Sequence, residues 1–147
     1  MSRTYIFDLD GTIALIEHRR PILDSDDPKK WNKFFDACVD DTANMPVVLI
    51  MADLYSLGHR IEIWSGRSDR VKKQTVQWLK RYNIPFHHLK MRKEGDYTPD
   101  DTLKMNWYIS YDLDEKPVAA VFDDRDKVVA MWRRIGVPCF QVADGDF

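Results

Sequence analysis

Cysteine is scarce in this chain, with only Cys38 and Cys139 among 147 residues. Two cysteines are too few for a disulfide framework, and their spacing matches no metal-binding motif. Both lie in apolar stretches of sequence, so we expect reduced, buried thiols. The four histidines also form no recognisable metal motif. The sequence therefore argues against a disulfide-stapled or zinc-dependent protein.

Long apolar runs and a large excess of one charge are also missing. No run approaches the roughly 20 apolar residues that a membrane-spanning helix needs, and no signal-peptide pattern precedes the first predicted strand. We therefore expect a cytoplasmic protein that makes no membrane contact. The net charge of −2 gives no general attraction for a polyanion, so contact with nucleic acid requires a local basic patch.

The stretch YIFDLDGT at residues 5–12 is the most informative part of the chain. Its apolar run ends in Asp8 and Asp10, which share one side of a strand that continues through them. Two carboxylates so close resist being ionised together. Such a pair therefore binds a cation, shares a proton or takes part in chemistry on an anionic substrate. Gly11 permits a turn with positive φ, and Thr12 adds a hydroxyl and an N–H. These groups suit metal-assisted phosphoryl transfer; the alternative is an acidic strand end before an ordinary Asp-Gly turn.

Hydrophobic residues make up 44% of the sequence, and their periodicity predicts alternating strands and helices. The predicted strands are 4–9, 60–64, 86–91, 118–122 and 139–142. The predicted helices begin at Asp27-Pro28 and then span about 46–57, 69–82, 101–113 and 126–135, whereas residues 13–27 look irregular. The second helix is predicted to bury Val47, Ile50, Met51, Leu54 and Leu57. This alternation predicts one α/β domain over residues 1–147, with a central parallel sheet and helices on both faces.

Three polar clusters follow predicted strands, at residues 8–12, 65–68 and 123–125. The second cluster, Ser65-Gly66-Arg67-Ser68, is predicted to be a loop. In open α/β sheets, ligands bind outside the carboxyl ends of the strands. We therefore expect the three clusters to meet at one edge of the sheet, because coincidence explains one such cluster easily and three of them poorly.

Four ordered motifs resemble those of the haloacid dehalogenase (HAD) superfamily of phosphotransferases: Asp8-Leu9-Asp10-Gly11-Thr12, Ser65, Lys104 and Asp123-Asp124. The sequence also resembles, over nearly its whole length, the C-terminal phosphatase domain of bacteriophage polynucleotide kinase/phosphatases. That resemblance is carried by the segment from Phe7-Asp8 to Arg19, by Ser65-Gly66-Arg67, Asp101-x-x-Lys104 and Asp123-Asp124-Arg125, and by the closing run from Met131 to Phe147. It implies a HAD-like Rossmannoid three-layer sandwich with a minimal helical cap insert at about 13–45. For a phage-encoded protein it also implies the host cytoplasm.

The resemblance implies chemical roles for the carboxylates. Asp8 would be the nucleophile that forms an aspartyl-phosphate, and Asp10 would be the general acid and then the general base. Mg²⁺ would be held by Asp8, the backbone carbonyl of Asp10 and Asp124, with Asp123 close by. This ligand set agrees with the preference of Mg²⁺ for a few carboxylates together with water and phosphate oxygens.

Other motif residues are implied to bind the phosphate. They are Thr12, Arg19, Ser65, Gly66, Arg67 and Lys104, of which Ser65 and Lys104 are also predicted to be catalytic. Lys104 would offset the carboxylate charge, and the arginines would grip phosphate bidentately. Two points stay open: Arg20 lies beside Arg19, so the register can slip by one, and Arg125 either pairs with a neighbouring aspartate or contacts the substrate.

The segment between the first two motifs is short, at about 50 residues including two predicted helices. It can form a small lid but hardly an enclosing cap, and an open site admits a strand end or another bulky phosphate ester. Trp31, Phe34 and Phe35 in this segment could stack on bases. Their i, i+3, i+4 spacing instead favours a stripe that faces the core.

These observations predict a Mg²⁺-dependent phosphomonoesterase. The resemblance implies that its substrate is a 3′-phosphate at the end of a DNA or RNA strand, with 2′,3′-cyclic phosphate as a further substrate. One alternative is a HAD phosphatase for free nucleotides or other small phosphoesters. Another is a non-catalytic HAD-fold adaptor, against which the combination of Asp8, Asp10, Lys104 and Asp124 argues. No GxxxxGK[ST] kinase motif occurs in these residues, so a separate kinase or ligase partner is a further expectation.

Overall fold

The structure is a computed structural model that describes residues 2–111 and 117–147. Its helices are α1 (Lys30–Asp36), α2 (Met45–Ser56), α3 (Lys72–Arg81), α4 (Asp100–Ile109) and α5 (Asp126–Arg134). Its strands are β1 (Thr4–Phe7), β2 (Ala14–Leu15), β3 (Thr42–Ala43), β4 (Arg60–Ser68), β5 (His88–Arg92), β6 (Val118–Asp123) and β7 (Cys139–Gln141). Three short 3₁₀ turns lie at Arg20–Asp24, Ala37–Asp40 and Asp69–Val71.

Five parallel strands form the central sheet in the order β5-β4-β1-β6-β7. Strand β1 lies in the middle, where Phe7 pairs with Ile63 of β4 and Phe122 of β6. The run of apolar residues in β1 therefore has a simple cause, because a central parallel strand is buried on both faces. The predicted α/β class with a parallel sheet is confirmed.

Helices cover both faces of the sheet. On one face Phe7 packs in a cluster with Met51 of α2 and Leu79 of α3. On the other face Ile6 packs with Trp132 of α5, and side chains of α4 lie against the same cluster. Neighbouring residues of β1 thus serve opposite layers, as the two-residue period of a strand requires. The result is the three-layer sandwich that the sequence resemblance implied.

The segment between β1 and α2 is folded back on itself by a small antiparallel ribbon. Ala14 and Leu15 of β2 pair with Ala43 and Thr42 of β3. Between these strands lie two of the 3₁₀ turns and α1, whose buried Phe34 joins a separate small core. The region that looked irregular in the sequence therefore contains regular elements, but each is too short to give a clear periodic signal.

The prediction of a loop at residues 65–68 is wrong, because β4 continues to Ser68. Ser65 pairs with Met91 and Ser68 with Arg92, with a shift of register between the two pairs. Such a bulge keeps the strand paired while it redirects the side chains near its end. The predicted fourth helix also differs: α4 ends at Ile109, and the predicted residues 112 and 113 lie outside the described residues.

The buried face of α2 is rotated from the predicted one. Its buried residues are Val47, Val48 and Met51, whereas Ile50 is 42% exposed and Leu57 is 74% exposed. The prediction that these last two residues face the core is therefore wrong, because the helix meets the sheet through its 47/48/51 stripe. Cys139 is likewise only half-buried rather than buried. Within the described residues, no helix is long and apolar enough to cross a membrane.

Candidate active site

A cavity of about 530 Å³ lies at the carboxyl ends of β1, β4 and β6. Its lining includes Asp8, Asp10, Ser65, Arg67 and Asp124. The three polar clusters identified in the sequence therefore meet at one edge of the sheet, as predicted. They meet there because parallel strands all present their carboxyl ends on the same side.

Both carboxylate oxygens of Asp8 are held by buried donors. Lys104 reaches across from the first turns of α4, and its Nζ lies 2.8 Å from Asp8 Oδ1 and 2.9 Å from Asp123 Oδ2. Thr12 donates its hydroxyl to Asp8 Oδ2 over 3.4 Å. Thr12 and Lys104 are 0% and 2% exposed and lie behind the cavity lining. They therefore fix the orientation of Asp8 from inside the protein.

Gly11 forms the turn after the two aspartates, with φ at +83°. A Cβ atom at this position would lie 2.0 Å from Asp124 Oδ2, so a side chain would collide with the opposite wall of the site. Both the backbone conformation and the close approach therefore require glycine. The turn brings the first and last motifs of the chain into contact.

Asp8, Asp123 and Asp124 form a cluster whose carboxylate oxygens lie within 4.8 Å of one another. Asp123 uses Oδ1 to accept the backbone N–H groups of Asp124 and Arg125, at 2.9 and 3.2 Å. Asp124 Oδ1 is buried and accepts no hydrogen bond from the described residues. The cluster thus contains an oxygen that lacks the partner a buried polar atom normally has.

The charge of this cluster is not balanced by the protein groups in it. If all three carboxylates were ionised, they and the Lys104 ammonium would leave a net charge of −2. Burial and the neighbouring Asp123 raise the pKa of Asp8 well above its ordinary value, and the same two causes raise the pKa of Asp124 to about 7. A divalent cation with oxygen ligands would offset the negative charge of the carboxylates and would bind the unpartnered Oδ1 of Asp124. The residues present therefore fit Mg²⁺.

The side chain of Asp10 belongs to a different group of charges. Its Oδ1 accepts hydrogen bonds from Arg19 Nη2 and Arg67 Nη2, each over 2.5 Å. Burial alone would raise the pKa of Asp10, but the two guanidinium groups, Arg67 first, outweigh it and lower the pKa to about 2. The carboxylate of Asp10 is not part of the Asp8 cluster, and a metal contact through its backbone carbonyl stays a prediction.

Asp41 completes this second group, and the sequence analysis missed it. Arg19 donates to Asp41 twice, from Nε to Oδ1 at 2.8 Å and from Nη2 to Oδ2 at 2.7 Å. Arg67 Nη2 lies 3.5 Å from Asp41 Oδ2, and His18 Nε2 lies 2.6 Å from Asp41 Oδ1. The side chains of Asp41 and Arg19 are both 0% exposed. The only hint in the sequence is that a buried arginine needs a carboxylate partner.

These contacts place Arg19 rather than Arg20 beside Asp10, whereas the role of Arg19 as a phosphate contact stays a prediction. Arg19 is the residue at the site, whereas Arg20 stacks on the ring of Phe147 at 4.5 Å and lies 3.6 Å from Asp146. Arg19 lies behind Asp10 and does not line the cavity, while Arg67 does. The two arginines therefore differ in position, although both bind the same carboxylate.

A third group of charges, also missed in the sequence, lies further along the cavity lining. Asp100 accepts from Arg92 Nη2 over 2.6 Å and from Arg125 Nη1 over 2.9 Å. The prediction that Arg125 pairs through its side chain with Asp123 or Asp124 is wrong, because the side chain turns toward Asp100 and the carbonyl of Phe147.

Asp100 also approaches Gly66 so closely that a Cβ on that glycine would lie 2.1 Å from Asp100 Oδ1. Asp101, which carried the sequence match, lies outside the cavity lining, and its Oδ1 accepts from the backbone N–H of Thr102. Nothing in the sequence distinguishes Asp100 from Asp101 as the residue that lines the cavity.

Comparison with known proteins identifies the family. The family described as the polynucleotide kinase PNKP phosphatase domain matches residues 2–147. The chain belongs to this family. A candidate bifunctional polynucleotide kinase/RNA ligase of Autographa californica nuclear polyhedrosis virus is 31% identical over 138 residues. The match covers 92% of this chain and 18% of the viral protein.

Solved structures agree with this PNKP phosphatase-domain assignment. A chain in the structure of a Pnkp1/Rnl/Hen1 complex is 31% identical and superposes with a TM-score of 0.83, over 100% of this chain and 48% of that one. The chain therefore spans less than half the length of these relatives. A class C acid phosphatase of Bacillus anthracis, 17% identical over 86% of this chain and 53% of its own, shares the fold with a TM-score of 0.65. This PNKP-type domain is a HAD-type phosphatase, as the four motifs predicted.

Proposed function

We propose that the chain is a Mg²⁺-dependent polynucleotide 3′-phosphatase that works through an aspartyl-phosphate on Asp8. The observation that carries the proposal is the placement of Asp8 in the lining of an open cavity, bonded to Lys104, with Asp10 two residues further on. A simple binding protein has no use for a nucleophile and an acid/base partner in one cavity with a buried ammonium bonded to the nucleophile from behind. The family assignment and the polynucleotide relatives support the choice of substrate.

In the first half of the proposed reaction, a carboxylate oxygen of Asp8 attacks the phosphorus of the terminal 3′-phosphate. The bond from phosphorus to the 3′ oxygen breaks, and Asp10 gives a proton to the leaving oxygen. In the second half, water attacks the phosphorus of the aspartyl-phosphate while Asp10 takes up a proton from that water. The bond between phosphorus and Asp8 breaks, which releases inorganic phosphate and restores both aspartates.

The acid role of Asp10 needs a proton that the free site does not favour, since its pKa is about 2. A phosphate dianion placed beside Arg67 would offset the positive field that lowers this pKa. We therefore expect that substrate binding itself raises the pKa of Asp10 and allows it to carry the proton. Once the phosphate has left, the arginines return Asp10 to its ionised form.

Arg67 and Ser65 are the proposed contacts to the phosphoryl oxygens. Arg67 donates from Nη1 to Thr75 Oγ1 over 2.9 Å and from Nη2 to Asp10, but its buried Nε has no acceptor among the described residues. Ser65 accepts the backbone N–H of Arg67 over 3.1 Å, so its own O–H is available to donate. A phosphate in the cavity would supply acceptors for both groups. Gly66 lies between them in the lining, where its lack of a side chain admits the carboxylate of Asp100.

The proposed metal ligands are Asp8, Asp124 and the backbone carbonyl of Asp10, with Asp123 beside them. Asp123 also holds Lys104, so its main contribution is to keep the ammonium next to Asp8. Mg²⁺ bound there would neutralise charge that develops on the phosphoryl oxygens. Thr12, Arg19 and Lys104 act from behind the lining, by fixing Asp8 and Asp10.

The substrate is proposed to be a strand end because the insert leaves the cavity open. Residues 13–45 contribute α1 and a two-strand ribbon rather than a large enclosing cap, and we propose that residues 1–147 form one such phosphatase domain. The matching family is named as the phosphatase domain of a polynucleotide kinase, and the viral relative is named as a polynucleotide kinase/RNA ligase. We therefore propose that a kinase or ligase acts alongside this domain, and a cytoplasmic location stays a prediction.

The test is phosphate release at neutral pH with Mg²⁺. The substrates are a 3′-phosphorylated DNA strand, its RNA counterpart, the matching 5′-phosphorylated strands, and free 3′- and 5′-nucleoside monophosphates. We expect a strong preference for 3′-phosphorylated strands, loss of activity in Asp8→Asn, and loss on chelation of the metal with recovery when Mg²⁺ is restored.

The alternatives give different results in the same assay. Equal or faster release from 5′-mononucleotides would assign the protein to the small-nucleotide phosphatases. No turnover of any phosphoester by the correctly folded wild-type chain would favour the non-catalytic adaptor. A radiolabelled phosphate trapped on the wild-type protein, and absent from Asp8→Asn, would support the aspartyl-phosphate directly.

A further inference from the structure

Two exposed aromatic rings, from separate segments, line the same cavity as Asp8. Trp31 lies on α1 and is 43% exposed, and Tyr97 lies in the loop between β5 and α4 and is 93% exposed. Neither ring is part of the buried core clusters. Single exposed aromatic residues are common on protein surfaces, so their meaning depends on how they are held.

Trp31 packs against two aromatic rings, one of which contacts the arginine that binds Asp10. Its ring lies 5.8 Å from the ring of Phe34 and 5.9 Å from that of Phe35, and both of these are buried. The guanidinium of Arg19 lies 4.3 Å from the Phe34 ring centre and binds Asp10 on its other side. All three aromatic residues of the insert line the cavity, but Phe34 and Phe35 are buried in the small core and only the Trp31 ring is exposed.

Tyr97 is exposed on a loop that is itself tightly held. The carbonyl oxygens on either side of it, of Asp96 and Thr98, both accept from Arg92 Nη1, at 3.1 and 2.5 Å. Asp96 Oδ1 also accepts from the backbone N–H and the hydroxyl of Thr98, at 2.9 and 2.6 Å. The backbone around Tyr97 is thus fixed while its ring is left almost entirely in solvent. Such an arrangement presents a flat apolar surface at low cost in conformational entropy.

Charged residues accompany the two rings in the lining. Lys93 precedes the Tyr97 turn and Lys127 lies on α5, and both are exposed. Glu94 and Asp96 also line the cavity, so the two lysines bring cations close to the rings without a net positive charge. Aromatic faces combined with cations are typical of sites that bind single-stranded nucleic acid, because every base has a face that can stack and every linkage carries a phosphate.

We propose that Trp31 and Tyr97 are the base-stacking contacts for the nucleotides that carry and precede the 3′-phosphate, with Lys93 and Lys127 near their phosphodiesters. This inference rests on the proposed function and specifies its substrate class as a single-stranded end read by stacking. A small phosphoester without a base has no use for either ring. Because stacking tolerates any base, the site would accept ends of many sequences.

The kinetic test compares two strands that differ only in their bases. One ends in an ordinary 3′-phosphorylated nucleotide, and the other has abasic residues at its last two positions. We expect Trp31→Ala and Tyr97→Ala each to lower kcat/KM about 5- to 100-fold on the first strand and to leave the second nearly unchanged. Trp31→Phe and Tyr97→Phe should retain most of the activity, because each keeps an aromatic face.

Tyr55→Ala is the matched control for these variants. Tyr55 is 43% exposed on α2, stacks on His87 at 4.8 Å and does not line the cavity, so its loss should not affect either strand. Equal losses on both strands would overturn the stacking role and indicate a structural one. Unchanged rates on the first strand would overturn it as well; Tyr97 is so exposed that its replacement cannot unfold the domain.

A binding test separates this inference from the proposed reaction. The Asp8→Asn variant is titrated with a strand that carries fluorescent 2-aminopurine as its last base, since stacking on an aromatic ring quenches this base. Quenching that is lost with Trp31→Ala or Tyr97→Ala supports the inference, and quenching that persists in both overturns it. If the wild-type chain releases no phosphate from any 3′-phosphorylated strand, the proposed function fails; if it does and the ring variants match it, only the stacking contact fails.

Discussion

Replacement of Asp41 by asparagine tests whether the buried arginine pair depends on charge balance. Asp41 and Asp10 face Arg19 and Arg67, so the four buried charges cancel. Asparagine keeps the size and one acceptor oxygen but leaves a net positive charge in the protein interior. Removal of one partner of a buried ion pair costs about 3–5 kcal/mol. We expect the free energy of unfolding to fall by about 3 kcal/mol, near the lower end, because the amide oxygen can still accept from Arg19.

The same substitution should reduce turnover. With Asp41 neutral, both guanidinium groups act on Asp10 alone, so the pKa of Asp10 falls further below its present value of about 2. A carboxyl group that is harder to protonate is a poorer general acid, and general acid catalysis contributes about 10²- to 10⁴-fold. We expect kcat to fall by about 10²-fold while KM changes little, since Asp41 does not line the cavity.

Urea denaturation followed by tryptophan fluorescence measures the change in stability. Trp78 is a suitable reporter because its indole N–H donates to the backbone carbonyl of Asp41 over 2.8 Å. With a denaturant slope of about 1–3 kcal/mol per molar, the midpoint should fall by about 1–3 M. Asp53→Asn on the exposed side of α2 is the control and should stay within about 0.5 kcal/mol of wild type. An Asp41→Asn protein with the wild-type midpoint and the wild-type kcat would refute the reasoning.

Three further predictions concern the other charged groups. Lys104→Met keeps the length of the side chain but removes the cation between Asp8 and Asp123, and we expect phosphate release to fall at least about 10²-fold in steady-state assays. Gly11→Ala would place a Cβ 2.0 Å from Asp124 Oδ2 at a φ of +83°, so we expect a lower melting temperature and a smaller rise on addition of Mg²⁺. The pKa of Asp10 is lowered from 3.8 to about 2, so its contribution of about 2 kcal/mol is present above pH 4 and disappears as the pH falls toward 2. Urea midpoints at pH 5 and pH 3 should show this loss in the wild type and not in Asp10→Asn.

Each of these predictions has a result that contradicts it. Wild-type turnover in Lys104→Met would show that the ammonium is not needed at the phosphate. A normal Mg²⁺-dependent rise in melting temperature for Gly11→Ala would place the cation away from Asp124. A wild-type protein whose midpoint falls between pH 5 and pH 3 no more than that of Asp10→Asn would show that the arginines do not hold Asp10 in its ionised form.

The sequence predicted the core of the site because that part depends on strand order and strand ends. Asp8 and Asp124 follow β1 and β6, and Ser65 lies near the end of β4, so a parallel sheet brings these residues to one edge. Lys104 was predicted from the resemblance alone, because nothing in the strand order selects a lysine on α4. The structure places Lys104 beside Asp8 and places Ser65 and Asp124 in the same cavity lining as Asp8.

The residues that the sequence missed depend on packing that no local pattern encodes. Asp40 and Asp41 are adjacent, as are Asp100 and Asp101, and in each pair only one enters the site. A shift of one residue in a helix or a turn would bring the other aspartate of the pair into the site. The irregular insert has no hydrophobic periodicity from which the orientation of each residue could be predicted. The rotated face of α2 has the same origin, because both possible stripes are apolar and only the sheet decides between them.

The site contains two charge systems that should respond differently to a metal ion. When its carboxylates are fully ionised, the cluster of Asp8, Asp123 and Asp124 with Lys104 carries a net charge of −2, whereas the arginine pair with its two aspartates is neutral within itself. A phosphate dianion that approaches Asp8 therefore meets net repulsion from the first system and finds only the spare donor of Arg67 in the second. It follows that inorganic phosphate should bind weakly without Mg²⁺ and much more tightly with it. Calorimetric titration of phosphate with and without the metal separates this arrangement from one in which the arginines alone hold the substrate, since the latter would bind phosphate equally well in both.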